Sequence, residues 1–195
     1  MKIAILGGGH GCYAAAADLS EAGHEVRLWR RDAVALKQVI ESGCITIKDS
    51  QGRREVKIFL ATGNISDAMR GAELVLIPSP AVAQVDIARA MAPYLVSGQV
   101  VFLPPGTFGT LVMSRIVRAA GNMAEIAWAE TGTLPYLARK HGPAEVNITI
   151  RAIHLPTGVY PARLSERAID VIRQVYPSVH ACGDAFSYFL LKFYH

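Results

Sequence analysis

The sequence predicts an α/β fold built around a doubly wound, mostly parallel sheet. Short apolar segments with strand character alternate with helical segments over most of the 195 residues. A glycine-rich turn follows the first of these strands and leads directly into an alanine-rich helix. Alternation of this kind favours right-handed crossovers between parallel strands, with helices on both faces of the sheet.

The turn at residues 7–12 matches the spacing G-x-G-x-x-G in all but its last position. In this motif Gly7 makes a tight turn, Gly9 lets the backbone approach a pyrophosphate, and the third position must be small because helix and strand pack there. Cys12 stands at that position, and a thiol is small and apolar enough to pack. Backbone N–H groups at the helix start would then bind the diphosphate of a dinucleotide. The pattern predicts a Rossmann-type domain, the alternative being an ordinary glycine-rich β-turn.

The end of the second predicted strand indicates which coenzyme binds. An acidic residue there binds the ribose 2′-hydroxyl of NAD, whereas an arginine accommodates the 2′-phosphate of NADP. Arg30 and Arg31 follow Trp29 directly, so NADP(H) is favoured and NAD(H) is the alternative. On the opposing interpretation both arginines are solvated and Asp32 is the ribose ligand.

Further candidates lie where later strands end, because ligands of parallel sheets bind at the carboxyl edge. Pro80, Pro105 and Gly106 fall at such loop tips, and prolines there would make a rigid wall without backbone donors. The simpler alternative is that they only end buried strands. The complete set of predicted cofactor-binding residues is Gly7, Gly9, His10, Gly11, Cys12, Arg30, Arg31, Pro80, Pro105, Gly106, Glu130 and Thr131.

Hydrophobic periodicity predicts the remaining elements. Strands are predicted at residues 72–77, 99–103, 124–130 and 145–152, a hairpin at 43–48 and 55–60, a turn at 155–158 and an edge strand at 179–182; helices are predicted at 33–42, 64–69, 82–95, 110–120 and 164–175.

Composition excludes several classes of protein. The formal net charge is only +4, and basic residues are scattered, so no nucleic-acid partner is expected. No apolar run reaches the length of a membrane span, and the chain starts directly with a strand, so a cytoplasmic location without membrane binding is predicted. The 3 cysteines are far apart and the 6 histidines share no ligand spacing, which argues against a disulfide framework and a metal site.

The last residues form an apolar, aromatic segment that nothing in the chain obviously covers. We therefore predict a dinucleotide-binding domain at residues 1–183, and at 184–195 the start of an interdomain helix leading to an absent substrate domain. An exposed apolar surface at Phe186, Tyr188, Phe189 and Phe193 predicts a homodimer.

Three segments resemble the opine dehydrogenases, the octopine and nopaline dehydrogenase family. Residues 7–14 are similar to the family turn G-x-G-x-G-G-x-A, residues 103–106 to its L-x-P-G loop, and residues 130–139 to its segment E-T-x-x-L-P-Y-x-x-R. Glycerol-3-phosphate dehydrogenase and ketopantoate reductase share the first two motifs, so the third is the specific one. The resemblance covers essentially the whole chain.

The resemblance implies an NAD(P)H-dependent enzyme that reductively condenses the amino group of an amino acid with a 2-oxo acid. It also implies a helical second domain that carries the catalytic His and Asp. The family's Asn-x-Asn pair would fall near Lys192 and Tyr194 and is absent, and the catalytic histidine would lie beyond His195. His195 itself takes that role only if the register of the resemblance shifts.

The catalytic residues are therefore unknown. Apart from Arg139, no set of residues converges on a general acid or on a site for substrate carboxylates, so the chain is expected to bind dinucleotide without turnover. Two alternatives stay open: a relative of ketopantoate or glycerol-3-phosphate reductases, and a nucleotide-sensing Rossmann module without chemistry.

Overall fold

Two β-sheets enclose one helix in the computed structural model, which describes residues 1–184. The helices are α1 (His10–Glu21), α2 (Lys37–Ser42), α3 (Ile65–Met69), α4 (Ala81–Met91), α5 (Gly109–Ala119) and α6 (Ser165–Arg173). The strands are β1 (Lys2–Leu6), β2 (Glu25–Trp29), β3 (Cys44–Asp49), β4 (Gly52–Lys57), β5 (Leu60–Thr62), β6 (Leu74–Leu76), β7 (Val100–Leu103), β8 (Ala127–Thr131), β9 (Tyr136–His141), β10 (Glu145–Arg151), β11 (Leu155–Tyr160) and β12 (Val179–Asp184).

The larger sheet has eight strands in the order β12-β11-β8-β7-β6-β1-β2-β5. Neighbouring strands are parallel except for the antiparallel pair of β8 and β11, which confirms the predicted mostly parallel, doubly wound sheet. From β1 the chain winds first towards β2 and β5 and then back towards β6 and β7. The direction of winding therefore reverses between β1 and β6. In such sheets, ligands bind next to the carboxyl ends of the strands at the position of this reversal.

Helices cover both faces of this sheet. On one face α3, α4 and α5 bury a core that includes Val75, Val101 and Met113, and on the other α1 and α6 pack over Ile5 and Phe102. No helix within residues 1–184 is long and apolar enough to cross a membrane.

The smaller sheet, in the order β4-β3-β10-β9, packs on the side of α1 that faces away from the larger sheet. The predicted hairpin is confirmed as β3 and β4. Because α1 contacts strands of both sheets, the four alanines at residues 14–17 are all fully buried. Alanine gives α1 a thin profile on every side, which lets two sheets approach one helix.

The structure differs from several sequence-based expectations. The turn predicted at 155–158 is wrong, because these residues lie in β11, where Gly158 pairs with Glu130 of β8. Pro156 and Gly158 indicated a break, but the pairing of β11 with strands on both sides compensates for them. Strands β5 and β9 were not predicted.

The final edge strand is confirmed as β12, which lies at the end of the larger sheet. Of the interdomain segment predicted at residues 184–195, Asp184 ends β12 and residues 185–195 lie outside the described residues, as do His195 and the aromatic positions expected to form a dimer surface.

Candidate functional site

The glycine turn between β1 and α1 has the geometry that the motif requires. Gly7 has a φ of +135°, a conformation that side chains rarely adopt, and a Cβ there would overlap the Ser79 hydroxyl. That hydroxyl donates to the carbonyl oxygen of Leu6 at 3.2 Å, so the turn is held against the chain that leaves β6. The tight turn predicted at Gly7 is therefore present.

Cys12 is fully buried beneath this turn. Its Sγ lies 3.6 Å from the carbonyl oxygen of Pro78 and 3.7 Å from the Ser79 hydroxyl. Burial raises the pKa of the Cys12 thiol, which keeps it neutral. Cys12 thus fills the space between helix and strand and does not line the groove described below.

The start of α1 is open to an anion. Gly9 is the N-cap residue and has no side chain to satisfy the first-turn N–H groups, which normally lack partners inside a helix. A Cβ at Gly9 would meet no protein atom within 4 Å. Open space next to unsatisfied amides at the positive end of a helix fits a diphosphate.

Two connected clefts form a groove along the carboxyl edge of the sheet, and both are lined by Gly9, Ser79 and Pro80. The first, of about 420 Å³, is bounded also by Gly7, Gly8, Trp29, Arg30, Arg31, Asp32, Ala83 and Ile87. The second, of about 450 Å³, is bounded also by His10, Gly11, Pro78, Pro105, Leu134, Tyr136, Leu137, Ala138 and Arg139.

The three charged residues after β2 lie at the first cleft but make different contacts. The Arg30 side chain lies directly over Gly8, because a Cβ at Gly8 would overlap its Cδ. Arg31 is exposed and forms an ion pair with Asp86 of α4 at 2.9 Å. The carboxylate of Asp32 accepts a hydrogen bond from the N–H of Ala35 at 3.1 Å, so it already stabilises the turn that follows.

The loop after β7 borders the second cleft through Pro105. Behind it, the fully buried carboxylate of Glu130 accepts hydrogen bonds from the N–H groups of Phe108 at 3.1 Å and Thr110 at 3.0 Å. Burial raises the pKa of Glu130, although these backbone donors oppose the shift. Phe108 has a positive φ of 63°, a strained conformation that such supporting contacts can hold in place.

Gly106 is attached to the same strand as Glu130, β8, since its N–H donates to the carbonyl oxygen of Thr131 at 3.0 Å. A Cβ at Gly106 would overlap the side chain of Glu130. The structure therefore places Gly106, Glu130 and Thr131 behind the groove wall, where they position the loop that carries Pro105.

Residues from β9 and the chain before it were not predicted as cofactor ligands, yet they form one wall of the second cleft. Leu134, Tyr136 and Leu137 contribute apolar surface there, and Arg139 contributes a positive charge. Residues 136–138 are apolar and residues 139–141 are basic, so the segment lacks the period-2 alternation of a half-buried strand, and no local pattern identified β9. Within residues 1–184, no cluster of His, Cys, Asp or Glu is arranged to hold a metal ion.

A groove that crosses the switch point of a parallel sheet, with an uncapped helix start at its centre, defines the class of dinucleotide-binding Rossmann domains. Residues 3–146 match the protein family described as ketopantoate reductase PanE/ApbA. The chain belongs to that family.

Comparison with curated proteins also confirms the resemblance to opine dehydrogenases. The chain is 30% identical over 175 residues to an opine dehydrogenase from Arthrobacter sp. (strain 1C), a match that covers 89% of this chain and 48% of the relative. The chain thus spans about half the length of that curated relative.

Solved structures show the same fold. An octopine dehydrogenase with NADH and L-arginine superimposes with a TM-score of 0.80 at 19% identity, covering 99% of this chain and 51% of the other. A yersinopine dehydrogenase with NADP⁺ bound gives a TM-score of 0.75 at 14% identity, covering 94% of this chain and 48% of the other.

Proposed function

We propose that this chain is the NAD(P)H-binding domain of an opine-type dehydrogenase, an oxidoreductase acting on CH–NH groups. The whole enzyme would condense the amino group of an amino acid with a 2-oxo acid. The 30% identity to an opine dehydrogenase supports this reaction class. A nicotinamide coenzyme is further supported by the related structures with NADH and NADP⁺. When bound, the coenzyme supplies the hydride.

The observation that carries the proposal is the continuity of the groove across the start of α1. First-turn amides of α1 would hold the diphosphate, and Arg30 and Arg31 would hold the 2′-phosphate of the adenosine half. Pro80 and Pro105 would border the nicotinamide half. NADP(H) is favoured over NAD(H), because a guanidinium binds a phosphate through two hydrogen bonds.

Titration with NADPH and NADH under tryptophan fluorescence tests the binding. Trp29 lines the first cleft and is held by a hydrogen bond from its Nε1 to the carbonyl oxygen of Gly63 at 3.0 Å. We expect each coenzyme to quench the tryptophan fluorescence in a saturable way, with tighter binding for NADPH. In Trp29→Phe the quenching should be lost, although calorimetry should still detect binding. Trp128→Phe is the matched control, since Trp128 lies on β8 outside both clefts. Absence of binding to either coenzyme would contradict the proposal.

A second candidate is a reductase of the ketopantoate or glycerol-3-phosphate type, which the PanE/ApbA family match favours. The two are separated by an assay of the gene product that includes any coding sequence after residue 195. NADPH oxidation that requires both an amino acid and a 2-oxo acid supports the opine-type reaction, whereas oxidation with a 2-oxo acid alone, or with a ketone phosphate alone, supports the reductase. The 195-residue chain by itself is expected to bind without turnover, and a stop codon after His195 would favour a nucleotide-sensing module.

The expected partners are small molecules, an amino acid and a 2-oxo acid, with a cytoplasmic location. The homodimer predicted from the aromatic C-terminal segment also remains a proposal. Light scattering of the purified chain tests it, and a clean monomer would contradict it.

A further inference from the structure

We propose that Lys140, from β9 of the smaller sheet, joins Arg30 of the larger sheet in a phosphate site that binds the 2′-phosphate of NADPH. This inference rests on the proposed nucleotide-binding function and adds a specificity residue to it. Lys140 belongs to no part of the glycine motif, and it reaches the motif only because the second sheet packs against α1.

The alternation of β9 directs Lys140 towards the start of α1. Tyr136 and Lys140 lie on the same side of the strand, since they are four residues apart. The Tyr136 hydroxyl donates to Asp18 in the second half of α1 at 2.9 Å. At the other end of the strand, the Lys140 ammonium lies 3.9 Å from the centroid of the Tyr13 ring, in the first turn of the helix.

A backbone contact fixes this position. The N–H of Lys140 donates to Nδ1 of His10 at 2.9 Å, which attaches β9 directly to the glycine turn. The backbone of Lys140 is thus attached to the glycine turn, while its ammonium group lies against the Tyr13 ring. The cation–π contact orients the charge without neutralising it.

Arg30 brings a second positive charge to the same glycine turn, because its side chain lies over Gly8, two residues before His10. Burial and then the nearby charge of Arg30 lower the pKa of Lys140. Burial raises the pKa of Tyr13, and the adjacent Arg30 guanidinium opposes that shift. No carboxylate forms an ion pair with Arg30 or Lys140 within residues 1–184, whereas Arg31, Arg54 and Arg151 all have acidic partners there.

Two cations close to the positive end of α1 repel each other and the helix dipole, and a bound anion removes that cost. The Tyr13 hydroxyl adds a buried polar atom for which the described residues supply no well-formed hydrogen bond. Arg30 indicates that the anion is the 2′-phosphate rather than the diphosphate, because Arg30 follows β2, where the ribose 2′ position of a dinucleotide lies. The ligand chemistry is therefore a phosphate monoester at the 2′ position of the adenosine ribose.

Calorimetric titration of the whole chain tests the site with four probes: NADPH, NADH, adenosine 2′,5′-bisphosphate and 5′-AMP. In Lys140→Met we expect affinity for NADPH and for the bisphosphate to fall by about tenfold or more, since charge-assisted hydrogen bonds are the strong ones. Affinity for NADH and 5′-AMP should change by less than about twofold. Lys140→Arg should retain most of the preference for NADPH over NADH, because the positive charge is kept.

Lys48→Met is the matched control, because Lys48 is an exposed lysine of β3 in the same sheet. It should leave all four affinities unchanged, and thermal melting should show that each variant is folded. Equal losses for NADPH and NADH in Lys140→Met, or no loss for either, would overturn the inference. A wild-type chain that prefers NADH would also overturn it, together with the expected NADP(H) preference, while leaving the proposed nicotinamide-coenzyme binding intact, whereas a chain that binds no probe would refute both.

Discussion

Cys12 replaces a glycine of the dinucleotide motif without opening or blocking the turn. The thiol occupies the space between Leu6, Pro78 and Ser79, and it is fully buried. The requirement at this position is for a small, apolar group that lets α1 pack against the strands, and glycine is one of several residues that meet it.

The first prediction concerns the size limit at Cys12. Cys12→Ala should cost about 1 kcal/mol or less of unfolding free energy, whereas Cys12→Leu should cost about 1–3 kcal/mol because the core is overpacked. Urea denaturation measures both values. Cys12→Leu should also weaken NADPH binding, because the added carbons displace Gly7. Equal unfolding free energies of the two variants would contradict the prediction, because they would show that a larger side chain fits at residue 12 without strain.

Asp86 forms an ion pair with Arg31, one of the two arginines proposed to bind the 2′-phosphate. Both side chains are exposed, and their ion pair lies beside the first cleft. An exposed pair contributes only about 0–1 kcal/mol, so it can open when an anion binds.

The second prediction is that Asp86→Asn tightens NADPH binding by about two- to fivefold at low salt, because Arg31 is released and a negative charge is removed. NADH binding should change less, since NADH lacks the 2′-phosphate. Calorimetry at low and high ionic strength measures the effect, which salt should screen. Asp67→Asn is the control, because Asp67 pairs with Arg70 away from the groove. Unchanged NADPH affinity in Asp86→Asn would place Arg31 outside the site.

At the scale of the elements, an ionic network attaches α1 to the smaller sheet. The side chain of Asp49 is almost completely buried and contacts Arg54 and Arg151, each at 2.8 Å. Arg54 also pairs with Glu21, and Arg151 with Asp18, so both arginines connect the sheet to α1. The network thereby fixes the sheet that brings β9 to the glycine turn.

The third prediction is that stability declines at acid pH through Asp49. The hydrogen bond from Arg54, followed by that from Arg151, lowers the pKa of Asp49 well below its usual value. A lowered folded-state pKa means that this stabilisation is complete above the unfolded value of about 3.9 and is lost as the pH falls below it.

Asp49→Asn tests this contribution directly. It should lower the unfolding free energy at pH 7 by about 2 kcal/mol, since it leaves two arginines without a buried carboxylate partner. It should also reduce the decrease in unfolding free energy between pH 5 and pH 3. Asp170→Asn is the control, because Asp170 forms only an exposed pair with Arg173. Denaturation at pH 3, 5 and 7 supplies the comparison, and parallel pH curves for wild type and Asp49→Asn would contradict the prediction.

At the scale of the whole molecule, α1 is the layer shared by both sheets. Its central alanines have no exposed surface, because the larger sheet lies on one side and the smaller sheet on the other. The groove depends on this layering, since the larger sheet supplies the glycine turn and the smaller sheet supplies the wall at Tyr136 and Arg139.

The fourth prediction is that Ala16→Leu destabilises the fold by about 1–3 kcal/mol, because three extra carbons must fit between two sheets. Ala119→Leu, at the exposed end of α5, should have little effect. Thermal and urea unfolding compare the two variants. Full stability of Ala16→Leu would mean that the second sheet can move away from α1.

The larger sheet and the residues of the first cleft could be predicted from the sequence, because the features that define them are close together in the chain. The turn at Gly7, the helix it begins and the arginines after β2 belong to one continuous segment, so their spacing is visible in the chain. The later helices also followed their hydrophobic periodicity to within a few residues. Strand β11 was predicted as a turn, because its Pro and Gly are compensated only by neighbouring strands.

By itself, the sequence determined the doubly wound sheet, the glycine turn and the position of Arg30 after the second strand. Only the tertiary structure decided that four strands from two distant segments form a second sheet. This sheet carries Tyr136 and Arg139 to the second cleft and Lys140 to the start of α1. The parallel pairing of β3 with β10 joins residues about a hundred positions apart. Such pairing is set by packing against the buried alanines, and no local pattern in either strand specifies it.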